Sequence, residues 1–309
     1  MTNDFTHYSI GVDGGGTKTL AIIVDTDGNE RGRGYAGSAN HTHAGVEQAI
    51  ENIHAAVTRA AQQARCTLPL QSAWFGLAGI DRPEDCDLLL PYLQPLAQHI
   101  NLTNDAELVL SGLPDAVGMA LIAGTGSIAL GRDAQGVSAR AGGWGHLIGD
   151  EGSGYSLGRR CLQAVAKAAD GRGPATALVE LLLKQWQLGN TDDIIGKVYN
   201  DCDQAGIAAL SSLVCSAARD GDTVAYGIVE EAAYELALTL IALQKRLDFA
   251  DRPIPLALSG GLLLHEGSFR EQVIRATSTQ LSVDTITLVE EPALSGARAA
   301  FEKQGRAPD

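Results

Sequence analysis

The stretch Gly11-Val12-Asp13-Gly14-Gly15-Gly16-Thr17-Lys18-Thr19 decides the fold. Apolar runs flank it, Tyr8-Ser9-Ile10-Gly11-Val12 before and Leu20-Ala21-Ile22-Ile23-Val24 after, and both read as buried strands. Between them stand three consecutive glycines, an acid before them and two hydroxyls after. Glycine admits positive φ and leaves no Cβ to block a close ligand. Successive backbone N–H groups in such a turn form an anion nest. Thr17 and Thr19 supply hydroxyl donors for phosphate oxygens, and Asp13 is placed to hold a magnesium ion through water. Three glycines exceed what a two-residue hairpin needs, so the loop reads as a phosphate cradle. It is not the G-x-x-x-x-G-K-[ST] signature, and no helix follows it as a dinucleotide-binding loop requires.

A second copy lies downstream. Shifted by 108 positions without a gap, Gly16-Thr17-Lys18-Thr19 becomes Gly124-Thr125-Gly126-Ser127, Asp25 becomes Asp133 and Gly28 becomes Gly136. Met119–Ala123 and Ile128–Gly131 are the matching apolar strands. Each copy is strand, glycine-hydroxyl loop, strand, Asp-x-x-Gly turn. Two such loops in register suit a polyphosphate.

The chain of 309 residues has room for two domains, and its 45% apolar and 19% charged residues are those of an ordinary globular protein. No apolar run approaches the ~20 residues of a bilayer span. Met1–His7 has neither a basic nor an apolar region of a signal peptide. A net charge of −14 disfavours nucleic acid and anionic membrane as partners. The five cysteines (Cys66, Cys86, Cys161, Cys202 and Cys215) are scattered and odd in number, so no zinc, iron–sulfur or disulfide framework is supported. A cytoplasmic location is expected.

Residues 8–37 read as a three-stranded meander. Helices are expected over Val46–Ala64 and, interrupted by Pro91 and Pro95, over Glu84–Gln98. Ser72–Leu77 and Ile100–Leu102 read as strands, and Asn104-Asp105 caps a short helix over Ala106–Ser111. After the second meander, helices are expected near Tyr155–Ala169, Ala175–Trp186 and Asp222–Leu247. Pro255–Ser259 and Leu288-Val289 are the remaining strands, and Ser295–Gln304 the last helix. Three antiparallel strands followed by helix-alternating strands indicate an α/β chain with mixed sheets. Domains are placed at 1–115 and 116–309, the second carrying a helical insert and the last helix being able to return to the first.

The most specific segment is GGWGHLIGDEGSGYSLGRR at Gly142–Arg160; GVDGGGTKT at 11–19, SANH at 38–41, GLAGIDRPE at 76–84, TNDAE at 103–107, LIAGTGS at 121–127 and LSGG at 258–261 accompany it. On these motifs the chain resembles, nearly end to end, the sugar kinase/actin/Hsp70 superfamily of duplicated ribonuclease H-like domains. Within it, the likeness is to the N-acetylglucosamine kinase branch of the BadF/BadG/BcrA/BcrD ATPases. The resemblance implies two actin-like ATPase domains, each a mixed five-stranded sheet with helices, and a cleft between them. It implies transfer of phosphate from ATP, with magnesium, to the 6-hydroxyl of an amino sugar. Asp105 would be the catalytic base and also touch the sugar, with Asn40, Gly143, Trp144 and Asp150. Gly16, Thr17, Lys18, Gly124, Thr125 and Gly126 would hold phosphates, Gly221, Gly260 and Gly261 the adenosine, and Asp13 the magnesium. A homodimer is expected. Each position has a plainer reading: a helix cap for Asp105, a turn for Asn40, a core aromatic for Trp144, and chain termination for Gly221, Gly260 and Gly261.

N-Acetyl-D-glucosamine is the expected substrate, because the loop acids Asp105, Asp150 and Glu151 are taken by hydroxyls or catalysis. Asp81 is the spare acid for an amine, with Arg82 beside it. Alternatives are a glucosamine or N-acetylmuramic acid kinase. A further one is an ATPase that activates a dehydratase or reductase, a role that needs the paired cysteines this chain lacks.

Overall fold

The computed structural model describes residues 8–80, 82–250 and 252–302. They form two compact units, one taking in the chain up to Gly118 and from Val289 onward, the other Met119–Leu288.

In the first unit, β1 (Tyr8–Gly14), β2 (Thr19–Asp25) and β3 (Glu30–Ala36) make the expected meander. Then follow α1 (His41–Ala44), α2 (Val46–Ala64), β4 (Leu70–Leu77), α3 (Pro83–Leu93) and β5 (Ala97–Thr103). Two 3₁₀ turns, Ala106–Gly112 and Pro114–Ala116, close the run. The sheet order is β3-β2-β1-β4-β5, with β1 antiparallel to β2 and parallel to β4, and β4 parallel to β5. Alternation along the strands gives the sheet two buried faces. Ile10, Val12, Ala21, Ile23 and Phe75 form one core with Ile53, Val57 and Ala60 of α2. Leu20, Ile22 and Val24 form another with Ala293 and Ala297 of the last helix. That second helix comes so close that a Cβ on Gly11 would stand 1.8 Å from the Ala293 carbonyl oxygen. Ser9, on the same face, donates its hydroxyl to the Ala297 carbonyl.

The second unit holds β6 (Gly118–Ala123), β7 (Ser127–Arg132) and β8 (Ser138–Gly142), then α4 (Gly154–Ala169), α5 (Leu178–Trp186), α6 (Asp193–Gly196), α7 (Gln204–Ala208), α8 (Leu210–Arg219) and α9 (Thr223–Gln244). β9 (Ile254–Ser259), α10 (Gly261–His265), α11 (Gly267–Thr277) and β10 (Val283–Leu288) follow. Its sheet order is β10-β9-β6-β7-β8. Counted from the meander edge, both sheets run third, second, first, fourth, fifth. Met119, Leu121, Leu256 and Leu258 build the core with Leu157, Val214, Leu236, Leu240 and Phe269. The chain then returns to the first unit as α12 (Pro292–Glu302), packed on β1, β2 and β4.

Three sequence expectations change. The helix expected to reach Gln98 ends at Leu93, and Ala97 already belongs to β5; Pro95 lacks the N–H that would extend the helical ladder. The last strand is Val283–Leu288 rather than Leu288-Val289, since an edge strand exposed at Asp284 and Thr285 shows no apolar run. Helices α1, α6–α8, α10 and α11 have no counterpart among the expected elements. Asp81 and residues 303–304 of the expected last helix lie outside the described residues. Among the described residues, no helix is long and apolar enough to cross a membrane.

Candidate active site

The first unit gathers its polar motif residues at the carboxyl ends of β1, β4 and β5. Open α/β sheets commonly bind ligands at such strand ends. Asp13 pairs in register with Gly76 of β4, and Gly76 with Thr103 of β5. Asp105 comes two residues later. A Cβ on Gly76 would lie 3.2 Å from the Asp105 Cα and 2.8 Å from the Leu108 Cβ. Glycine at 76 thus lets the turn after β5 lie on the sheet beside Asp13.

The two carboxylates feel each other. Burial pushes the Asp13 carboxyl from 3.8 up to about 6; the charge of Asp105 adds to this and Lys18 opposes it. Asp105 Oδ1 accepts the N–H of the next residue, Ala106, at 2.9 Å, rather than one two or three residues on as a cap takes, and the residue already has helical dihedrals (φ −59, ψ −36). Asn104 shares the capping: its Oδ1 accepts the same N–H at 3.0 Å, and its Nδ2 donates to the Ile80 carbonyl at 3.3 Å. The helix that follows is 3₁₀, not α. Asn104 and Gly76 join the candidate site; the sequence reading singles out Asn104 only as part of a helix cap and Gly76 not at all.

The loop between β1 and β2 is a four-residue turn closed by the Gly15 N–H to the Lys18 carbonyl, 2.9 Å. Gly16, Thr17 and Lys18 are exposed. Gly16 does not adopt the left-handed backbone that glycine would permit, and nothing lies within 4 Å of the place its Cβ would take. Its glycine is not required by the protein's own packing and leaves space for a ligand. The carbonyls of Gly14 and Gly15 accept the N–H groups of Ala78 and Ala39, at 2.8 and 3.2 Å. They tie the 38–40 loop and the 78–80 turn to the glycine loop. Asn40, nearly buried, caps α1, and a Cβ on Gly79 (φ +88) would stand 2.9 Å from its Oδ1.

The second unit brings together a different set. The Gly124 N–H closes on the Gly126 carbonyl at 2.9 Å. The first N–H groups of α4, from Gly154 and Tyr155, donate to the carbonyls of Gly124 and Thr125 at 2.8 and 3.2 Å. Gly260 and Gly261 lie against the same loop: the place of a Gly124 Cβ is 3.8 Å from the Gly261 nitrogen. Gly260 (φ +88) could not carry a side chain, which would meet the Ala123 carbonyl at 2.4 Å. Asp150 also joins this loop, its Oδ2 lying 2.8 Å from where a Gly126 Cβ would be. Burial raises the Asp150 carboxyl and Glu151 reinforces this, while N–H groups of Ser127 and Gly145 and the charge of His146 oppose it. Asp150 holds φ +60, an uncommon backbone for a non-glycine residue.

Gly143 donates its N–H to the Ser127 carbonyl at 3.1 Å. Trp144 is 63% exposed, so it is not a core aromatic; its ring lies under the Arg140 guanidinium at 5.4 Å. A cavity of about 230 Å³ opens beside this loop, lined among others by His146, Ile148, Glu151, Tyr155 and Arg159. Gly143, Trp144 and Asp150 do not line it. Gly221 (φ +93) sits in the α8–α9 turn. An ion pair from Arg219 Nη1 to Glu266 Oε2, 2.5 Å, ties that turn to the end of α10, the helix that Gly261 opens.

An N-acetylmuramic acid/N-acetylglucosamine kinase of Clostridium acetobutylicum is 35% identical over 261 residues, 83% of this chain and 85% of that protein. An N-acetyl-D-glucosamine kinase of Dictyostelium discoideum is 34% identical over 274 residues, 84% of this chain and 86% of that one. The solved structure of a Chromobacterium violaceum protein, described as a candidate N-acetylglucosamine kinase, superposes with a TM-score of 0.72 at 27% identity, covering 96% of this chain and 98% of that one. The model of the BadF/BadG/BcrA/BcrD ATPase family matches residues 10–297. The chain belongs to the BadF/BadG/BcrA/BcrD ATPase family.

Proposed function

We propose that the chain is an ATP-dependent hexosamine kinase that phosphorylates N-acetyl-D-glucosamine on its 6-hydroxyl. One observation carries the reading: Asp13 and Asp105 are coupled at the strand ends of the first unit, beside a glycine loop with open space at Gly16. Phosphoryl transfer calls for this equipment, since its catalysis is mostly positioning and charge stabilisation. The activities named for the two curated relatives point the same way.

Asp105 orients the sugar hydroxyl and takes its proton; the Ala106 N–H, which donates to its Oδ1, holds it in place. Gly16, Thr17 and Lys18, and in the second unit Gly124, Thr125 and Gly126, offer N–H, hydroxyl and ammonium donors to phosphate oxygens. Gly260 and Gly261, with Gly221, bound the adenosine. Asn40, Gly143, Trp144 and Asp150 meet the sugar.

Asp13 fits a magnesium ion. Its carboxyl is raised to about 6, a state that a nearby cation reverses. Among the described residues, no group of three or more His, Cys, Asp and Glu could cage a metal. Magnesium keeps most of its waters and binds through one or two carboxylates and substrate phosphates, a role a single strand-end carboxylate can fill. When bound, magnesium supplies charge neutralisation to those phosphates.

The acetamide form of the sugar suits the second unit better than the free amine. Asp150 already accepts two N–H groups, and the exposed face of Trp144 offers an apolar wall. A coupled ADP-release assay with magnesium-ATP on N-acetylglucosamine, glucosamine and N-acetylmuramic acid tests this. The highest kcat/KM is expected on N-acetylglucosamine. Preference for either other sugar reassigns the substrate, and ADP release independent of all three sinks the kinase.

A further inference from the structure

Asn40 offers a ligand only one of its two polar ends. Its Oδ1 lies 3.0 Å from the Thr42 backbone nitrogen and 2.6 Å from Thr42 Oγ1. A backbone N–H can only donate, so the amide atom facing it must be the oxygen. That N–H, which any residue at 42 supplies, sets which end of the amide faces it. The Thr42 hydroxyl, a second and shorter donor to the same oxygen, holds the amide there. Nδ2 makes no hydrogen bond to any described residue, and it is the end left for a ligand.

The turn that carries this amide is itself fixed. Ser38 Oγ accepts the Asn40 N–H at 3.2 Å and donates to the Gly15 carbonyl at 3.3 Å. Next to Asn40, the buried His41 places Nε2 3.5 Å from Asp85 Oδ1, and its Nδ1 is buried without a hydrogen bond. Asp85 in turn accepts the Arg82 N–H at 3.0 Å, at the start of α3. The amide cannot swing to show its oxygen to a ligand without breaking both bonds to Thr42.

We propose that Thr42 is a positioning residue: it turns the Asn40 amide so that Asn40 meets the sugar as a donor only. The proposal rests on the hexosamine kinase reading. Asn40 then recognises an oxygen acceptor, from a hydroxyl or an acetamide carbonyl, and has nothing to offer an ammonium group. Thr42 does not touch the substrate in this scheme; it acts through Asn40.

The test is steady-state kinetics of the full chain with N-acetylglucosamine and ATP. Thr42 is exposed, so Thr42→Val is expected to fold. It removes the hydroxyl donor, and KM for the sugar should rise about fivefold, the scale of one neutral hydrogen bond. KM for ATP and kcat should stay within about twofold, and Thr42→Ser should restore the sugar KM. Asn40→Asp keeps the cap oxygen and deletes the donor, and sugar KM should rise at least about tenfold. Adding Thr42→Val to Asn40→Asp should then cost nothing more, because both act on one contact. An unchanged sugar KM in Thr42→Val, equal rises in both KM values, or additive effects in the double variant overturns the positioning role while the kinase reading stands. A wild-type chain with no sugar-dependent ADP release overturns the kinase reading, and the proposal with it.

Discussion

The first and second meanders differ less in their backbone than in their chemistry. Asp25 Oδ1 accepts the N–H groups of Asp27 and Asn29, both at 3.0 Å. Its counterpart Asp133 Oδ1 accepts those of Gln135 and Val137, at 3.0 and 2.9 Å. Gly28 and Gly136 complete the two turns at φ +77 and +82. Every one of these positions is offset by the same 108 residues. The strands leading into the glycine loops have diverged. Where β1 carries Asp13, β6 carries Leu121, fully buried in the second core. Where β1 has Gly11 beneath α12, β6 has Met119. A turn held by local side-chain-to-backbone bonds survives duplication because it depends on no distant partner. A carboxylate at a strand end has only its chemistry to keep it, and one copy has lost it or the other gained it.

The comparison breaks first at Asp105. If the acids of the first unit perform the chemistry, Asp105→Asn should leave a folded protein that still binds ATP. Its kcat should fall by roughly 100-fold or more, the scale of a lost general base. Circular dichroism and nucleotide titration check the fold and the binding. A kcat near that of wild type removes the distinction between the copies.

Gly11→Ala tests the packing side of the difference. The new Cβ would meet the Ala293 carbonyl oxygen at 1.8 Å and the Ala297 nitrogen at 2.5 Å, both rigid helix backbone. A loss of about 3 kcal/mol in urea unfolding is expected, at the upper end of overpacking costs. Met119→Ala, at the matching place in β6, should instead lose stability by leaving a cavity. A tolerated alanine at 11 would mean that α12 gives way easily.

Asp13→Asn sharpens the comparison through pH. A carboxyl with a raised pKa holds its proton more tightly folded than unfolded. Its stabilising share is therefore complete below about pH 4 and is lost as pH rises through about 6. Asparagine does not titrate. The ligand-free Asp13→Asn protein should be the more stable of the two above pH 7, by up to about 3 kcal/mol for a shift of some two units. The gap should close toward pH 4. Thermal melts at intervals across this range check it, and a gap independent of pH would show that Asp13 is not held near 6. Magnesium-ATP should reverse the order at neutral pH, since only the carboxylate gains from the cation.

Much of this fold is legible because it is local. The meanders, α2, β4 and the repeat are patterns of neighbours in sequence, and the two Asp-x-x-Gly turns can be read residue by residue. The pairing of Asp13 with Asp105 is not local. It depends on the parallel register of β1, β4 and β5 and on the missing side chain of Gly76. Gly76 looks like any glycine in an apolar strand until the Asp105 turn lies on it. The glycines of the two loops read as a phosphate cradle partly for their backbone freedom, yet neither Gly16 nor Gly124 takes a left-handed backbone; what distinguishes Gly16 is open space, with nothing within 4 Å of the place of its Cβ. Gly32 and Gly34 were silent for the opposite reason. They let α2 lie on β3, within 2.3 and 2.0 Å of where their side chains would begin, and no run of apolar residues announces such a contact.

The smallest expected effect tests whether the two turns are equivalent. Gly28→Ala and Gly136→Ala each place a Cβ on a left-handed residue, at a cost of about 1–2 kcal/mol from sterics with the following carbonyl. No atom lies within 4 Å of the Gly136 position, so strain alone acts there. At Gly28 the nearest atom is Nε of Arg298 at 3.5 Å, an ordinary contact, and this same Nε donates to the Gly28 carbonyl at 3.0 Å. The added methyl can keep that bond, so the two variants should lose stability equally to within about 0.5 kcal/mol, the usual tolerance for independent sites. Urea unfolding of the two single variants measures the difference. A clearly larger loss at Gly28 would mean that Arg298 of α12 helps hold the first turn, and that the first copy has come to depend on a distant helix even where its sequence still matches the second.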